Sequence, residues 1–337
     1  MNKLPLGKLP PEILSSIITK APISDPRIIL GPGIGLDCAV VEMGDTCLVF
    51  KSDPITFTSD EIGWYAVQIN ANDIATTGAI PRWFLVTTLF PEENTTEQSV
   101  EEISSQVFNA CRALGISVIG GHTEITYGID RPIIAGTMIG EVAREKLITP
   151  KGVSPGDRVL LTKGIPIEGT AIIAREFSGE LQKCCSDTEI QTASNYLHKP
   201  GISVVQDAKL AAQAGTVSAM HDPTEGGLSG ALWELAEACQ YTLVIDPQAV
   251  IISPLSDKIC RTVGVDPMGT IASGALLLTC PSGDSKEICQ ALGIENIACT
   301  EIGSVVDGPP QVLTSISKGT IPLPRPERDE ITKLFEN

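Results

Sequence analysis

NANDIATTGA, residues 70 to 79, sets one carboxylate and two carboxamides among small and apolar residues. Trp64, Val67, Ala71, Ile74 and Ala75 recur at helical spacing, which predicts a helix over about 62–77 with Asp73 near its C-terminal end. Asn70 and Asp73 then share a face. The apolar neighbours predict that Asp73 is partly buried, and a buried carboxylate requires a metal ion or a buried partner to offset its desolvation.

Upstream, strands at 38–43 and 46–53 are joined by the Gly44-Asp45 turn, a hairpin signal. The second strand ends on Asp53, which Pro54 forces into extended backbone. Before the hairpin, GPGIGLD (31–37) is too rich in Gly and Pro to be regular. It resembles a phosphate loop but fits neither GxxxxGK[ST] nor GxGxxG. Its weight comes from Asp37, which closes the loop after Gly33 and Gly35.

Downstream, a strand at 82–90 and an acidic helix at 97–114 ending at Gly115 lead to SVIGG, a strand whose Gly120 and Gly121 precede His122 and Glu124 at its end. Two apart on a strand, His122 and Glu124 point to one face, and either could ligate a metal. A strand at 132–143 closes the first half, and the Gly-, Pro- and Lys-rich stretch 149–157 reads as a domain boundary. Strands are expected at 158–162, 216–220, 242–246, 274–280, 298–306 and 311–316. Helices are expected at 168–178, 203–214, 227–239 and 284–292. In HDPTEGGL (221–228), Asp222 or Thr224 can cap the helix that starts near Gly226 and Gly227, and the same helix N-terminus suits an anion. Strands and helices mix without strict alternation, so the class is α+β.

The 337 residues exceed what one core supports, and two domains are expected, 1–150 and 151–337. With 42% apolar and only 4% aromatic residues the cores are aliphatic. A net charge of −17 opposes nucleic acid and anionic membrane as partners, and anionic substrates would need cations to enter. The ten cysteines include no CxxC, and most lie in apolar patterns, as small buried hydrophobes do in a reducing compartment. Cys184-Cys185, in a polar stretch, is the expected exposed exception. The N-terminal MNKLPLGKLPPEIL lacks the pattern of a signal peptide, and no apolar run approaches about 18 residues, so a cytoplasmic protein is expected. Three histidines are too few for a His-rich metal centre. Magnesium takes one or two carboxylates and leaves its other positions to water and phosphate oxygens, so dispersed Asp residues suit a metal–nucleotide site.

In order, the Asp-bearing glycine loop, SDP at a strand end, NDIA with TGA after it, a GG-x-T strand, LTKG and DPTEGGL resemble the superfamily of AIR synthetase, thiamine-monophosphate kinase, selenophosphate synthetase and the hydrogenase maturation factor HypE. DPTEGGL is nearest to the DPTRGGL of HypE. The resemblance covers nearly the whole chain and implies two α+β domains, the N-terminal one pairing across a homodimer into a barrel, with an ATP site in a shared groove. It implies that Asp37, Asp53 and Asp73 hold magnesium, to which the strand-end Glu124 is added as an expected metal ligand, and that Asp222 is the catalytic carboxylate of the C-terminal domain. It further implies that Asn72 orders the Asp73 turn and that Gly33, Gly35, Gly120, Gly121, Gly226 and Gly227 approach the nucleotide.

Leu36 stands where kinase-type relatives often have Asp, and Glu225 replaces the Arg of DPTRGG. HypE ends in a cysteine that carries the carbamoyl group, whereas this chain reads PLPR (322–325) and continues as PERDEITKLFEN. The leading expectation is therefore an ATP- and magnesium-dependent enzyme that phosphorylates or activates a small-molecule acceptor or one borne by a protein partner. Two alternatives stay open: HypE-type carbamoyl dehydration for the nickel-iron site, and a non-catalytic ATP-binding scaffold.

Overall fold

The computed structural model describes Leu4, residues 9–56 and residues 60–335. In chain order the helices are α1 (Pro11–Ile18), α2 (Ile62–Thr76), α3 (Glu97–Leu114), α4 (Ile167–Glu176), α5 (Ser178–Leu181), α6 (Asp187–Ser194), α7 (Val205–Ala214), α8 (Gly227–Cys239), α9 (Pro254–Val263) and α10 (Ser285–Ile294). The strands are β1 (Ile28–Leu30), β2 (Ala39–Met43), β3 (Thr46–Ile55), β4 (Ile80–Pro91), β5 (Ser117–Thr126), β6 (Ile133–Ala143) and β7 (Arg158–Thr162), followed by β8 (Ala219–His221), β9 (Thr242–Ile245), β10 (Leu277–Cys280), β11 (Cys299–Val306), β12 (Gln311–Ile316) and β13 (Gly319–Pro322). The class is α+β, as expected. Two compact units divide the chain at Leu147 and Ile148, inside the expected linker region. The first 150 residues are not one unit, however. The segment bearing α1 and the glycine loop Pro32–Leu36 both group with the C-terminal unit.

The N-terminal unit is built on a six-stranded sheet ordered β1-β2-β3-β6-β4-β5. Its centre is β6, paired antiparallel with β3 from Thr46↔Ala143 to Ile55↔Ile134 and antiparallel with β4 on its other side. β5 runs parallel to β4 and forms one border of the sheet. The helical spacing places α2 correctly, but its surroundings differ from an amphipathic surface helix. Every residue of α2 except Trp64 is buried, because the sheet covers one side and α3 another. Two glycines of β6 let the helix lie this close: a Cβ on Gly140 would come 2.3 Å from the Ile74 side chain, and one on Gly136 would come 2.7 Å from Asn70 Nδ2. Gln68, Asn70, Asn72 and Asp73 are consequently interior residues.

The C-terminal unit holds a seven-stranded sheet ordered β13-β12-β9-β11-β7-β10-β8. α8 packs an apolar face of Leu228, Leu232 and Leu235 on Val159, Leu161, Leu243, Leu277 and Ile302 of the sheet. A second core forms where α4, α5, α6 and α9 meet around Ile173, Leu181, Ala193 and Ile259. Periodicity did not disclose α5, α6, α9 or β13. α9 is announced by Ser253, whose hydroxyl accepts from the Ser256 amide, and by Pro254 in its first turn.

The C-terminal segment of this unit is docked. Leu323 O accepts from Trp233 Nε1 at 3.0 Å, Arg325 pairs with Glu237 at 2.5 Å, Ile331 enters the second core, and Phe335 meets Phe177 edge-to-face at 5.2 Å. Among the described residues, no helix is long and apolar enough to cross a membrane.

Candidate active site

In the N-terminal unit, β3 carries Lys51 and Asp53 on one face, and the C-terminal turn of α2 brings Asp73 beneath them. Lys51 Nζ lies 3.1 Å from Asp53 Oδ2 and 3.1 Å from Asp73 Oδ2. Burial pulls the Lys51 pKa down, but the carboxylates of Asp73, Asp53 and Asp37 outweigh it and hold the ammonium well above the ordinary lysine value. Two of the three expected metal-ligating Asp residues, Asp53 from a strand and Asp73 from a helix, thus share one cation, and Asp37 from the glycine loop acts on it electrostatically. Lys51 was not expected from the sequence. The available signal was the two-residue spacing of Lys51 and Asp53 on a strand otherwise rich in apolar residues.

Asn70 fixes the backbone of Asp53. Its Oδ1 accepts from the Asp53 amide at 3.1 Å, and its Nδ2 donates to Ala66 O at 2.8 Å and to Asp53 O at 3.4 Å. Asn72, expected to order the Asp73 turn, is fully buried. The Asp73 carbonyl receives the Cys38 thiol at 3.2 Å and the Thr76 hydroxyl at 2.7 Å. The Asp53 and Asp73 carboxylates and the Asn70 carboxamide meet around Lys51 and the Asp53 backbone, and oxygen donors of this kind suit magnesium.

Glu124 does not join them. Asp53 pairs with Gly136, Gly136 with Val86, and Val86 with Gly121, so even Gly121 is three strands from Asp53 across the sheet. Glu124 lies further along β5, exposed, with its Oε2 3.1 Å from His122 Nε2. His122 and Glu124 lie on the strand as expected, near the end of β5, whose ladder with β4 runs to Pro91↔Thr126. Gly121 has φ +152, and a Cβ there would come 1.8 Å from Val86 O, so side-chain bulk is excluded where the two strands meet.

In the C-terminal unit, DPTEGG joins β8 to α8. Asp222 is 1% exposed. The preceding His221 holds Glu234 Oε2 at 2.9 Å through Nε2. Neither Asp222 nor Thr224 caps α8, contrary to expectation, because Gly226 at φ +83 is the N-cap and no side chain caps it. The Gly226 amide instead donates to Asp329 Oδ2 at 2.7 Å. That partner lies 103 residues away, beyond any local motif. Gly227, at φ +60, has no room for a side chain, since a Cβ would come 2.6 Å from Met268 O and Thr270 O. In the glycine loop, a Cβ on Gly35 would come 2.5 Å from Glu234 O, while one on Gly33 would meet only the Leu36 side chain.

Asp222 sits among further acids that the sequence did not single out. Burial pushes Glu168 up to about 8, against a lowering contribution from the Ser273 hydroxyl, with Glu225, Asp329 and Asp222 pushing the same way as burial. Burial likewise raises Asp329 to about 6, against hydrogen bonds from Ile331, Gly226 and Ile271. Near neutral pH Glu168 is therefore a neutral acid with a proton to hold or donate, as raised carboxyl groups in functional sites are.

The fold and these two sites define a two-domain protein of known kind. The chain belongs to the AIR synthase related protein family: the family's N-terminal domain matches residues 35–142 and its C-terminal domain residues 154–315. Within the wider superfamily its similarity is to HypE-type proteins. It is 28% identical over 296 residues to a putative hydrogenase expression/formation protein of Methanocaldococcus jannaschii, covering 85% of this chain and 84% of the relative. It is 30% identical to the carbamoyl dehydratase HypE of Cupriavidus necator, covering 71% of this chain and 65% of that protein. The solved structure of the hydrogenase maturation protein HypE in complex with ATP has the same fold, with a TM-score of 0.69 and 22% identity over 94% of this chain and 90% of the other.

Proposed function

We propose that the chain is an ATP- and magnesium-dependent enzyme that activates a carbamoyl-type oxygen for loss of water, a HypE-like step in hydrogenase maturation. The observation that carries this reading is the cluster of Asp37, Asp53 and Asp73 around Lys51, in a chain whose curated relatives include a carbamoyl dehydratase. A HypE of the same fold binds ATP, which supports a nucleotide here. These comparisons favour the maturation reading over general phosphorylation of an unspecified acceptor. Activation of an acceptor by ATP is its coarser form.

In this reading Asp37, Asp53 and Asp73 hold magnesium, with Asn72 behind them in α2. Magnesium supplies charge neutralisation on the phosphates. Lys51 keeps the carboxylates gathered when no metal is bound, and Asn70 holds Asp53 in register. Asp222 is the carboxylate of the reacting centre, and Glu168 keeps a proton beside it at neutral pH. The carbamoyl group is borne by a thiol of this chain or of a protein partner.

A second copy of the chain completes the N-terminal unit in this reading. β5 borders its sheet and exposes Val118, Ile119 and Ile125, and Tyr127 just beyond it is 82% exposed. An apolar strand edge of this kind pairs with another chain unless something covers it. The homodimer follows from pairing of β5 with its symmetry mate, which could also bring Glu124 towards a shared groove. Light scattering at micromolar concentration checks it, and a monomer mass with ATP binding intact would end the dimer reading.

The function is tested by incubating pure protein with ATP, magnesium and a carbamoyl donor system. The expected result is nucleotide hydrolysis together with an ATP-dependent carbamoyl- or cyano-sized mass shift on this chain or a partner. Asp73→Asn should lower turnover about 100-fold, the scale of losing one charge-stabilising group. Hydrolysis without an adduct would leave the coarser enzyme. ATP binding without hydrolysis would leave the scaffold and refute the proposal.

A further inference from the structure

Ten cysteines are free thiols, and most cannot meet a reagent. Cys38, Cys47, Cys111, Cys185, Cys239, Cys260 and Cys280 are buried, and Cys184 is exposed. Cys289 and Cys299 differ from both groups. Both are half-buried, neither lies in the proposed metal–nucleotide or Asp222 site, and their sulfurs are hydrogen-bonded to each other at 3.3 Å. Cys289 sits in mid-α10 and Cys299 opens β11, so the turn between these elements brings the two sulfurs face to face. From the sequence, cysteines outside the Cys184-Cys185 pair read as small buried hydrophobes. The structure shows instead a partly accessible dithiol.

We propose that Cys289 and Cys299 form a redox modification site that takes up oxidising equivalents from a peroxide or a low-molecular-weight disulfide and closes as an intramolecular disulfide. The sulfurs need to approach by little more than an ångström to reach the bonded distance of about 2.05 Å. The two thiols also differ in character. The contact with Cys299 lowers the Cys289 pKa against the opposing effects of burial and Glu301, while the same contact and burial raise that of Cys299. Cys289 is thus the nucleophile and Cys299 the resolving thiol. With hydrogen peroxide, the Cys289 thiolate attacks one oxygen and the O–O bond breaks. This gives a sulfenic acid at Cys289 and hydroxide, which leaves as water. The Cys299 sulfur then attacks the sulfenyl sulfur, its proton leaves with the displaced hydroxide as a second water, and the S–S bond forms. Two thiols and one peroxide become one disulfide and two waters.

Cys280 does not compete, because burial pushes its thiol up to about 12 and leaves it no exposed surface. Closure would tether the segment from Cys289 to Cys299. Within it, Glu295, Asn296 and Ile297 line a cavity of about 670 Å³ shared with Lys163, and Ala298 O accepts from the Lys163 amide at 2.7 Å. Lys163 is itself buried against Asp207, with Nζ 3.2 Å from Oδ2.

The test treats fully reduced, full-length protein with hydrogen peroxide and separately with oxidised glutathione, then counts thiols and maps peptides. Each oxidant should remove two of the ten thiols, lower the intact mass by about 2 Da and yield a Cys289–Cys299 cross-linked peptide. Cys299→Ser should stop closure and leave Cys289 trapped as a sulfenic acid by dimedone or as a glutathione adduct. Cys289→Ser should slow oxidation of the remaining partner at least about tenfold. Cys184→Ser should change neither the mass loss nor the mapped bond. If oxidation falls only on Cys184, or if the two thiols survive oxidant in protein whose circular dichroism is native, the proposal is overturned.

Discussion

Glu168→Gln should make the protein more stable, increasingly so as pH rises. Glu168 is 5% exposed, and its pKa stands at about 8 in the folded chain against an ordinary 4.5. Between these values the folded state keeps its proton while the unfolded state loses it, so the contribution of Glu168 to stability is complete below pH 4.5 and declines as pH rises towards 8. At about 1.4 kcal/mol per unit, the loss reaches roughly 3 kcal/mol at pH 7 and roughly 4 kcal/mol at pH 8. Glutamine keeps the size and cannot ionise, so the gap between variant and parent should widen by about 3 kcal/mol from pH 5 to pH 8. For a unit of this size that is a difference of about 10 °C in Tm. Asp329 acts in the same direction but only between 3.8 and about 6. The variant should therefore retain a slope below pH 6 and lose it above. Scanning calorimetry from pH 4.5 to 8.5, with Trp233 fluorescence to report on the C-terminal unit, reads both features. Parallel pH profiles for the two proteins would refute the reasoning.

Two further outcomes follow from the N-terminal unit. Lys51→Met removes the cation shared by Asp53 and the 3% exposed Asp73, and should cost about 2–4 kcal/mol in metal-free buffer, with millimolar magnesium restoring part of it in a thermal melt. Gly136→Ala places a Cβ 2.6 Å from the Phe84 ring and 2.7 Å from Asn70 Nδ2, so urea unfolding should show a loss of about 1–3 kcal/mol, and magnesium affinity should fall because Asn70 sets Asp53.

The sequence was most legible where local rules act. Gly44-Asp45 marks the β2–β3 hairpin, Gly115 caps α3 at φ +69, and the apolar period of 62–77 marks α2. Asp37, Asp53 and Asp73 could be chosen because each stands beside glycine, proline or small residues, and the structure gathers them. What stayed hidden depends on residues distant in sequence. Lys51 looks like an ordinary strand lysine until α2 brings Asp73 to it, and Asp329 meets Gly226 only after the chain has built an entire sheet. Glu168 carries no local signal of burial, yet in the first turn of α4 it is buried, with Thr270 and Ile271 packed on the adjoining Gly169. Glu124 was selected by its neighbours in sequence and set apart by strand order, which no local pattern specifies. Cys289 and Cys299 needed the α10–β11 turn to face each other.

The enclosure of α2 also bears on how the chain is made. The helix ends at Thr76, whereas β6, which lies between β3 and β4 and walls one side of the helix, begins at Ile133. During synthesis α2 therefore emerges well before its wall exists, with many apolar side chains uncovered and a carboxylate that has nowhere dry to go. Nascent chains stalled before Ile133 should be held by chaperones that recognise exposed apolar helices, and chains stalled well beyond Ala143 should be released. The residues that gather the carboxylates would then be among the last of their unit to leave water, and expression yield would report on the same helix as catalysis.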